Sequence, residues 1–420
     1  MAGDILRGRA PGQAVIQYTD RCNASCVQCG MRRQNPEPRS RLGVERAGAL
    51  IERLASRGVR AISLTGGEPL LYLGDVAALA RLARRAGVAS VRTGTNGFIF
   101  QEHAKPGFSG KIAAAAGLLR QNGVNAFWIS LDSPEPSVHE RNRGLPGVVD
   151  GIRAGLPVFH AQGLYPAVNL GLSRLVGGTQ PLAARDGEEP AAFTARCEEA
   201  LSRFFSFALE LGFTTANVCY PMHESGPAGY APVYAAADSG AIMDFTALET
   251  AALLTALDRT IAAYRGRLRI FAPRSSILAL LSRHAHGLRR GHGCLGGRDF
   301  VFIDAKDMRM YPCGYRGNEP MEDFPAGGAR RRGREKKCEL CDWECFRDPS
   351  NLLGPLLELR RSPARGLRRL LADKEWAGVW LEDLAYFRAC GWFDATRAPE
   401  PSRMAKFERR RENAPAAEAV

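Results

Sequence analysis

The chain has 420 residues, 45% of them hydrophobic and 24% charged, with a formal net charge of +13. That length buries a full-sized core and suggests one large domain and a smaller one, while the composition excludes disordered, fibrous and collagen-like classes. No run of about 18 uncharged apolar residues occurs, and the opening MAGDILRGRAPG lacks an apolar h-region, so a cytoplasmic protein without a membrane span is expected.

The basic excess is spread along the chain. Its local runs, Arg330, Arg331, Arg332, Arg334, Lys336 and Lys337 and then Arg409, Arg410 and Arg411, read as a solvated loop and a tail rather than a nucleic-acid surface. Eleven cysteines in a reducing compartment point to metal or redox sites, not to a disulfide framework.

In chain order, short β-branched runs begin at Ala14 (AVIQY), Ala61 (AISLT), Ser90 (SVRTGT), Phe127 (FWISLD), Ala167 (AVNLGL) and Thr215 (TANVCY). Between them, 44–56, 76–86, 113–121 and 191–211 show apolar residues at three- and four-residue spacing, as amphipathic crossover helices do. Strands alternating with helices predict an α/β fold with a parallel sheet, a partial (βα)6 barrel. The Gly- and Pro-rich stretches from Gly177 and Glu224 read as surface loops, either a lid or decoration. A helix is expected over 245–264, then a small cysteine-rich domain containing a β-hairpin, VFID and MRMYPC about a polar turn at Ala305–Asp307. The expected division is an extension over 1–13, the barrel over 14–280, the cysteine-rich domain over 281–350, a helical segment over 351–396 and a disordered tail over 397–420. The boundary itself is expected near 275–290.

Directly after the first predicted strand stands Cys22-x3-Cys26-x2-Cys29, at the strand end where α/β barrels place active sites. Structural zinc takes four ligands; three thiolates leave a 4Fe-4S cluster with one iron free of protein. The triplet alone also permits zinc with a distant fourth ligand. CNASCVQC, followed by TGGEPLL at Thr65–Leu71 after the second strand, resembles the radical S-adenosylmethionine (SAM) superfamily over about Ala14 to Tyr220.

The resemblance implies that Cys22, Cys26 and Cys29 hold a cluster whose open iron chelates SAM. Reductive cleavage of SAM then gives a 5′-deoxyadenosyl radical that takes a hydrogen atom from substrate. It implies a methionine-binding segment at Gly66, Gly67, Glu68 and Pro69, with Glu68 accepting from the SAM ammonium group. Thr95 and Asn96 after the third strand, and Ser130 and Asp132 on the fourth, resemble cavity-lining positions; Asn96-Gly97 reads equally as a turn and Asp132 as a turn cap. Asn169, Ser173 and Arg174 fit ribose and carboxylate contacts. One departure is Gln28, where the family usually carries an aromatic residue.

Cys294, Cys313, Cys338, Cys341 and Cys345 resemble the ligands of auxiliary-cluster domains called SPASM and twitch. The full SPASM pattern needs seven cysteines with C-x2-C-x5-C-x3-C, and this chain has C-x2-C-x3-C with only Cys390 beyond. A twitch-like domain with one auxiliary 4Fe-4S cluster fits better, held by Cys294, Cys313, Cys338 and Cys341, with Cys345 competing for one position. Four-cysteine structural zinc is the alternative. Cys197 reads as a core residue, Cys219 as facing core or cavity, and Cys390 as a packed thiol; no histidine is assigned to metal. The implied partners are a small-molecule or peptide substrate and an electron donor such as a flavodoxin or ferredoxin. The early start of the first strand favours a small molecule or an externally delivered peptide. The rival from another class is a zinc-binding interaction protein.

Overall fold

The computed structural model describes residues 2–31, 38–222, 231–233, 240–322, 338 and 341–409. The basic run at 330–337, Arg410 and Arg411, and most of the loop from Glu224 lie outside the described residues.

The six expected strands form within two residues of their predicted starts: β1 Gly12–Thr19, β2 Val59–Gly66, β3 Ser90–Thr95, β4 Ala126–Ser130, β5 Ala167–Gly171 and β6 Thr215–Cys219. They pair in parallel in sequence order. The connections are helices because their apolar residues share one face. Over Val44–Ser56, Ala47, Leu50, Ile51 and Leu54 are buried at helical spacing, with Glu45 in the first turn and Arg53 in the last to suit the helix dipole.

Two helices absent from the sequence reading, Pro136–Arg143 and Val148–Ala161, also cross between strands. The second carries Pro157 and two glycines, Gly151 and Gly155, which weaken the helical signal.

The sheet is larger than six strands. β7, Arg269–Phe271, adds in parallel beside β6, and β8, Phe300–Ile303, adds in parallel on the other side of β1. Three residues of β7 are too few to give a periodic signal. β8 and β9, Met310–Tyr311, form the predicted hairpin, antiparallel across the polar turn. The cysteine-rich segment is therefore laid against the barrel rather than apart from it. Ala10 and Val15 share a buried cluster with Leu295, Phe300, Phe302, Trp343 and Phe346. The boundary expected near 275–290 falls largely within a continuous helix, Arg274–His286, which packs on both Ala247–Tyr264 and Lys374–Ala389.

The C-terminal helices return to the body. Trp376 and Trp380 stack at 6.2 Å, donating to the carbonyls of Ser275 and Leu352, while Tyr386 hydroxyl donates to Leu268 O and accepts from Ile270 N. Cys390 is buried against Met404 and Cys197 lies in the main core. Among the described residues, no helix is long and apolar enough to cross a membrane.

Strand alternation gives the barrel two unlike faces. Ile62, Leu64, Val91, Phe127, Ile129, Val168, Leu170, Ala216 and Val218 pack outward into the core shared with the helices. The inward set includes Ser63 and Thr65, Arg92 and Gly94, Trp128 and Ser130, Asn169 and Gly171, then Asn217 and Cys219, each matched across neighbouring strands. Most of this polar set is half-buried where its outward neighbours are buried, so the lumen is not filled by its own side chains.

Candidate active site and a second cysteine site

The loop after β1 carries Cys22, Cys26 and Cys29, with Cys29 N donating to Cys26 O at 3.2 Å. Three neighbouring segments fix it. The first is the glycine pair after β2: Gly67 N donates to Thr19 O and Glu68 N to Arg21 O, both at 2.8 Å. A Cβ on Gly66 would stand 2.0 Å from Thr19 O, and one on Gly67 2.2 Å from Arg21 O. The glycines are thus required by the approach of two backbones, a constraint that exists before any ligand is considered.

The second is the loop after β3. Glu68 is fully buried; its Oε1 accepts from Leu70 N at 2.9 Å and its Oε2 from Asn96 N at 2.6 Å. Burial pushes its carboxyl up to about 7, against the pull of those backbone donors. Asn96 passes the connection on, its Nδ2 donating to Asn23 Oδ1 at 2.9 Å and lying 3.6 Å from Cys22 Sγ. Thr95 Oγ1 accepts from Gly97 N, and Asn96 Oδ1 from Phe98 N. Glu68 is thus first a staple between the β2 and β3 loops, with the Thr95 side chain as a further hydrogen-bond partner. Pro69 opens a short 3₁₀ turn.

The third is the end of helix Pro136–Arg143, which sequence reading did not mark. Ser25 N donates to Arg143 O at 2.7 Å, and Asn142 Nδ2 donates to Gln28 Oε1 at 3.0 Å. Gly144, at φ 66°, has Ser25 Oγ where a Cβ would stand 2.3 Å away. Gln28, the departure from the family pattern, is therefore held by an amide of its own kind of chemistry. The signal that existed was the sequence RNRG, a charged helix end closed by glycine.

Asp132 is neither a turn cap nor an open cavity residue. It is fully buried, accepting from Arg143 Nε at 2.8 Å and Nη2 at 2.6 Å and from Asn142 Nδ2 at 2.9 Å. Burial alone would raise Asp132, but Arg143 and His139 hold it well below the ordinary carboxylate range. Burial also pushes the Cys26 thiol up to about 11, with Arg143 opposing it.

Arg174 is likewise committed. Its guanidinium pairs with both Glu249 oxygens at 2.8 Å, donates to Leu182 O and Asp244 O, and lies over the Phe245 ring. Those partners leave it no reason to hold a ligand carboxylate. Ser173 Oγ is turned to Leu175 N. Ser130 and Asn169 are register partners inside the lumen, where Asn169 Oδ1 accepts from Asn217 Nδ2.

The C-terminal cysteines separate into four and one. Cys294, Cys313, Cys338 and Cys341 line one small cavity, together with Gly296, Arg316, Trp343, Phe346 and Arg347. Cys294 N donates to Cys338 O at 3.0 Å, and Gly296 N and Tyr315 N point at the Cys294 and Cys313 sulfurs at 3.3 and 3.4 Å. Burial pushes Cys294 up to about 12. Cys345 does not line this cavity. Its thiol donates to Glu344 Oε1 at 3.4 Å, and the charged groups around it are Glu344, Arg92 and Asp348. Among the described residues, no three His, Cys, Asp or Glu side chains converge closely enough to chelate one ion.

A partial parallel barrel with a cysteine triplet at the end of its first strand, stapled to a glycine pair after its second, defines an iron–sulfur α/β enzyme. Residues 16–169 match the Radical SAM superfamily model, so that stretch of the chain is a radical SAM domain. The chain is 26% identical over 312 residues to an AdoMet-dependent heme synthase of Methanosarcina barkeri, covering 74% of this chain and 79% of that protein. It is 35% identical over 155 residues to a GTP 3′,8-cyclase of Heliobacterium modesticaldum, covering 36% and 43%, so it spans less than half of that relative's length. A structure of Streptococcus suis SuiB bound to S-adenosylmethionine aligns at 14% identity, with 72% of this chain, 60% of that one and a TM-score of 0.47. SAM and a 4Fe-4S cluster are the cofactors of this superfamily.

Proposed function

We propose that this chain holds two 4Fe-4S clusters and modifies a substrate bound in the barrel lumen. Cys22, Cys26 and Cys29 ligate the cluster that binds SAM; Cys294, Cys313, Cys338 and Cys341 ligate the auxiliary one. The observation that carries the second assignment is the four-cysteine cavity. Thiolates on a single zinc, each about 2.3 Å from the metal, converge on one point, whereas a cubane binds each thiolate to a different iron; the four thiols face one cavity, and among the described residues they do not converge on a single ion position. Backbone N–H groups aimed at sulfur suit such a cluster, since they stabilise its negative charge.

When bound, the cluster and SAM supply a 5′-deoxyadenosyl radical that removes a hydrogen atom from substrate. The chain's own contribution is to position and to shield. Gly66, Gly67 and Glu68 present backbone and carboxylate lone pairs toward the methionine moiety. Thr95, Asn96, Ser130 and Asn169 line the route into the lumen. Arg143, paired with Asp132 and near Cys26, keeps positive charge beside the thiolates. A small molecule is the favoured substrate class, given the heme synthase and GTP cyclase likenesses; a flavodoxin or ferredoxin is the expected electron donor.

Anaerobically reconstituted protein with reductant and SAM should release 5′-deoxyadenosine and methionine, and should contain about eight irons. Full iron loading without either product would refute the SAM site. About four irons with stoichiometric zinc would refute the auxiliary cluster.

A further inference from the structure

Inside the barrel, Arg92 has no carboxylate partner among the described residues. It lies on the inward face of β3, opposite the outward Val91, and its Nε and Nη2 atoms are shut off from solvent with no hydrogen-bond partner among the described residues. Burial pushes the guanidinium below its ordinary value, and the ionisable group it senses is the Cys345 thiol. A buried guanidinium without a carboxylate is costly, because desolvation is not returned by an ion pair. Arg143, Arg174 and Arg274 in the same protein each have a bidentate carboxylate.

Arg92 is flanked in register by Ser63 and Ala126, both small. One step along the same face is Gly94, where a Cβ would stand 2.1 Å from Trp128 Nε1, so the indole lies across the glycine as an apolar wall. Glu344 does not serve as the partner. It takes the Cys219 and Cys345 thiols.

We propose that Arg92 is the anchor for a substrate carboxylate, held in bidentate fashion at the floor of the lumen with the substrate's apolar body along Trp128. This rests on the radical SAM reading and names the substrate class for that site. Among the described residues the groups beside this guanidinium are acids and thiols, so one cation matches a monoanion; a phosphate dianion would leave one charge unpaired next to them. Arg92 sits three residues before Thr95 on the strand, about 10 Å below the loop that reaches the cysteines. The hydrogen removed is therefore several bonds from the carboxylate.

The test uses reconstituted holoenzyme with SAM and three perdeuterated probes of equal chain length: hexanoate, hexanol and hexyl phosphate. Calorimetry reads binding, and mass spectrometry reads deuterium in 5′-deoxyadenosine. Hexanoate should bind best, with affinity falling at least ten-fold in Arg92→Gln and less in Arg92→Lys, while hexanol binding stays level across the variants. Arg81→Gln, an exposed charge on helix Leu73–Arg85, controls for net charge. Equal hexanoate binding by wild type and Arg92→Gln, or no hexanoate binding by wild type, overturns the anchor, and Arg92 would then be a structural cation of the lumen. A preference for hexyl phosphate overturns the carboxylate assignment. Hexanoate binding with no 5′-deoxyadenosine from any sample would sink the radical SAM reading and leave the anchor standing.

Discussion

The two cysteine sites are built in opposite ways. Cys22, Cys26 and Cys29 share one eight-residue loop, so local chain geometry brings them together, and the rest of the barrel only holds that loop in place. Cys294, Cys313, Cys338 and Cys341 come from separate segments, a turn before β8, the end of β9 and the approach to helix Glu344–Arg361, and meet only when the hairpin docks on β1. The first site depends on staples at its edges; the second depends on the packing of Phe300, Phe302, Trp343 and Phe346 beneath it. A local site tolerates distant change, whereas an assembled site fails whenever its segments part.

The largest expected effect is the loss of one site without the other. Replacing Cys22, Cys26 and Cys29 together by Ala should abolish 5′-deoxyadenosine release and leave about four irons, whereas Cys313→Ala should lower iron and spare some SAM cleavage. Iron analysis and product chromatography check both. Loss of all iron in either variant would show that the sites are not independent.

Next in size is the staple beneath the first site. Arg143→Ala leaves Asp132 charged, buried and unpaired, and should cost about 3–5 kcal/mol of stability in denaturant melts. A cost below about 1 kcal/mol would mean that the Asp132–Arg143 pair does not support the cysteine loop.

A comparison of Cys341→Ala with Cys345→Ala sharpens the second site. Only the former should erase the auxiliary cluster's paramagnetic signal, because Cys345 faces Arg92 and Glu344 instead of the cavity. The reverse result would reassign the fourth ligand.

A smaller effect is expected at Glu68. Glu68→Gln puts an amide N–H where the carboxylate accepts from a backbone N–H, and should cost about 1–3 kcal/mol. Titration of SAM separates this structural loss from any direct contact. An unchanged melting midpoint would contradict the stapling role.

The smallest is a pH effect remote from both sites. Asp383 is buried, accepts from Ser275 N and Arg274 N, and is pushed up to about 6, chiefly by burial. A carboxyl whose folded value exceeds its unfolded one adds stability below about pH 4 that is lost as pH rises toward 6. Asp383→Asn should flatten that slope in melts taken between pH 4 and 7. An unaltered slope would assign the pH dependence to another group.

What the sequence by itself determined was everything carried by short-range pattern. The six strands and most crossover helices follow from periods of two and 3.6, and the triplet and the glycine pair lie within single loops. The hairpin was legible for the same reason. Tertiary structure alone decided the rest. β7 and β8 join the sheet because edges of a partial barrel leave backbone groups to be paired, and no local pattern announces which segment will do so. Asp132 and Arg174 read as ligand contacts until Arg143 and Glu249, eleven and 75 positions away, took their charges. Cys341 and Cys345, four residues apart on one segment, face different spaces because of the way the chain enters helix Glu344–Arg361. One thiol was turned to the cavity and the other to the lumen, because hydrophobic packing, not spacing, sets that direction.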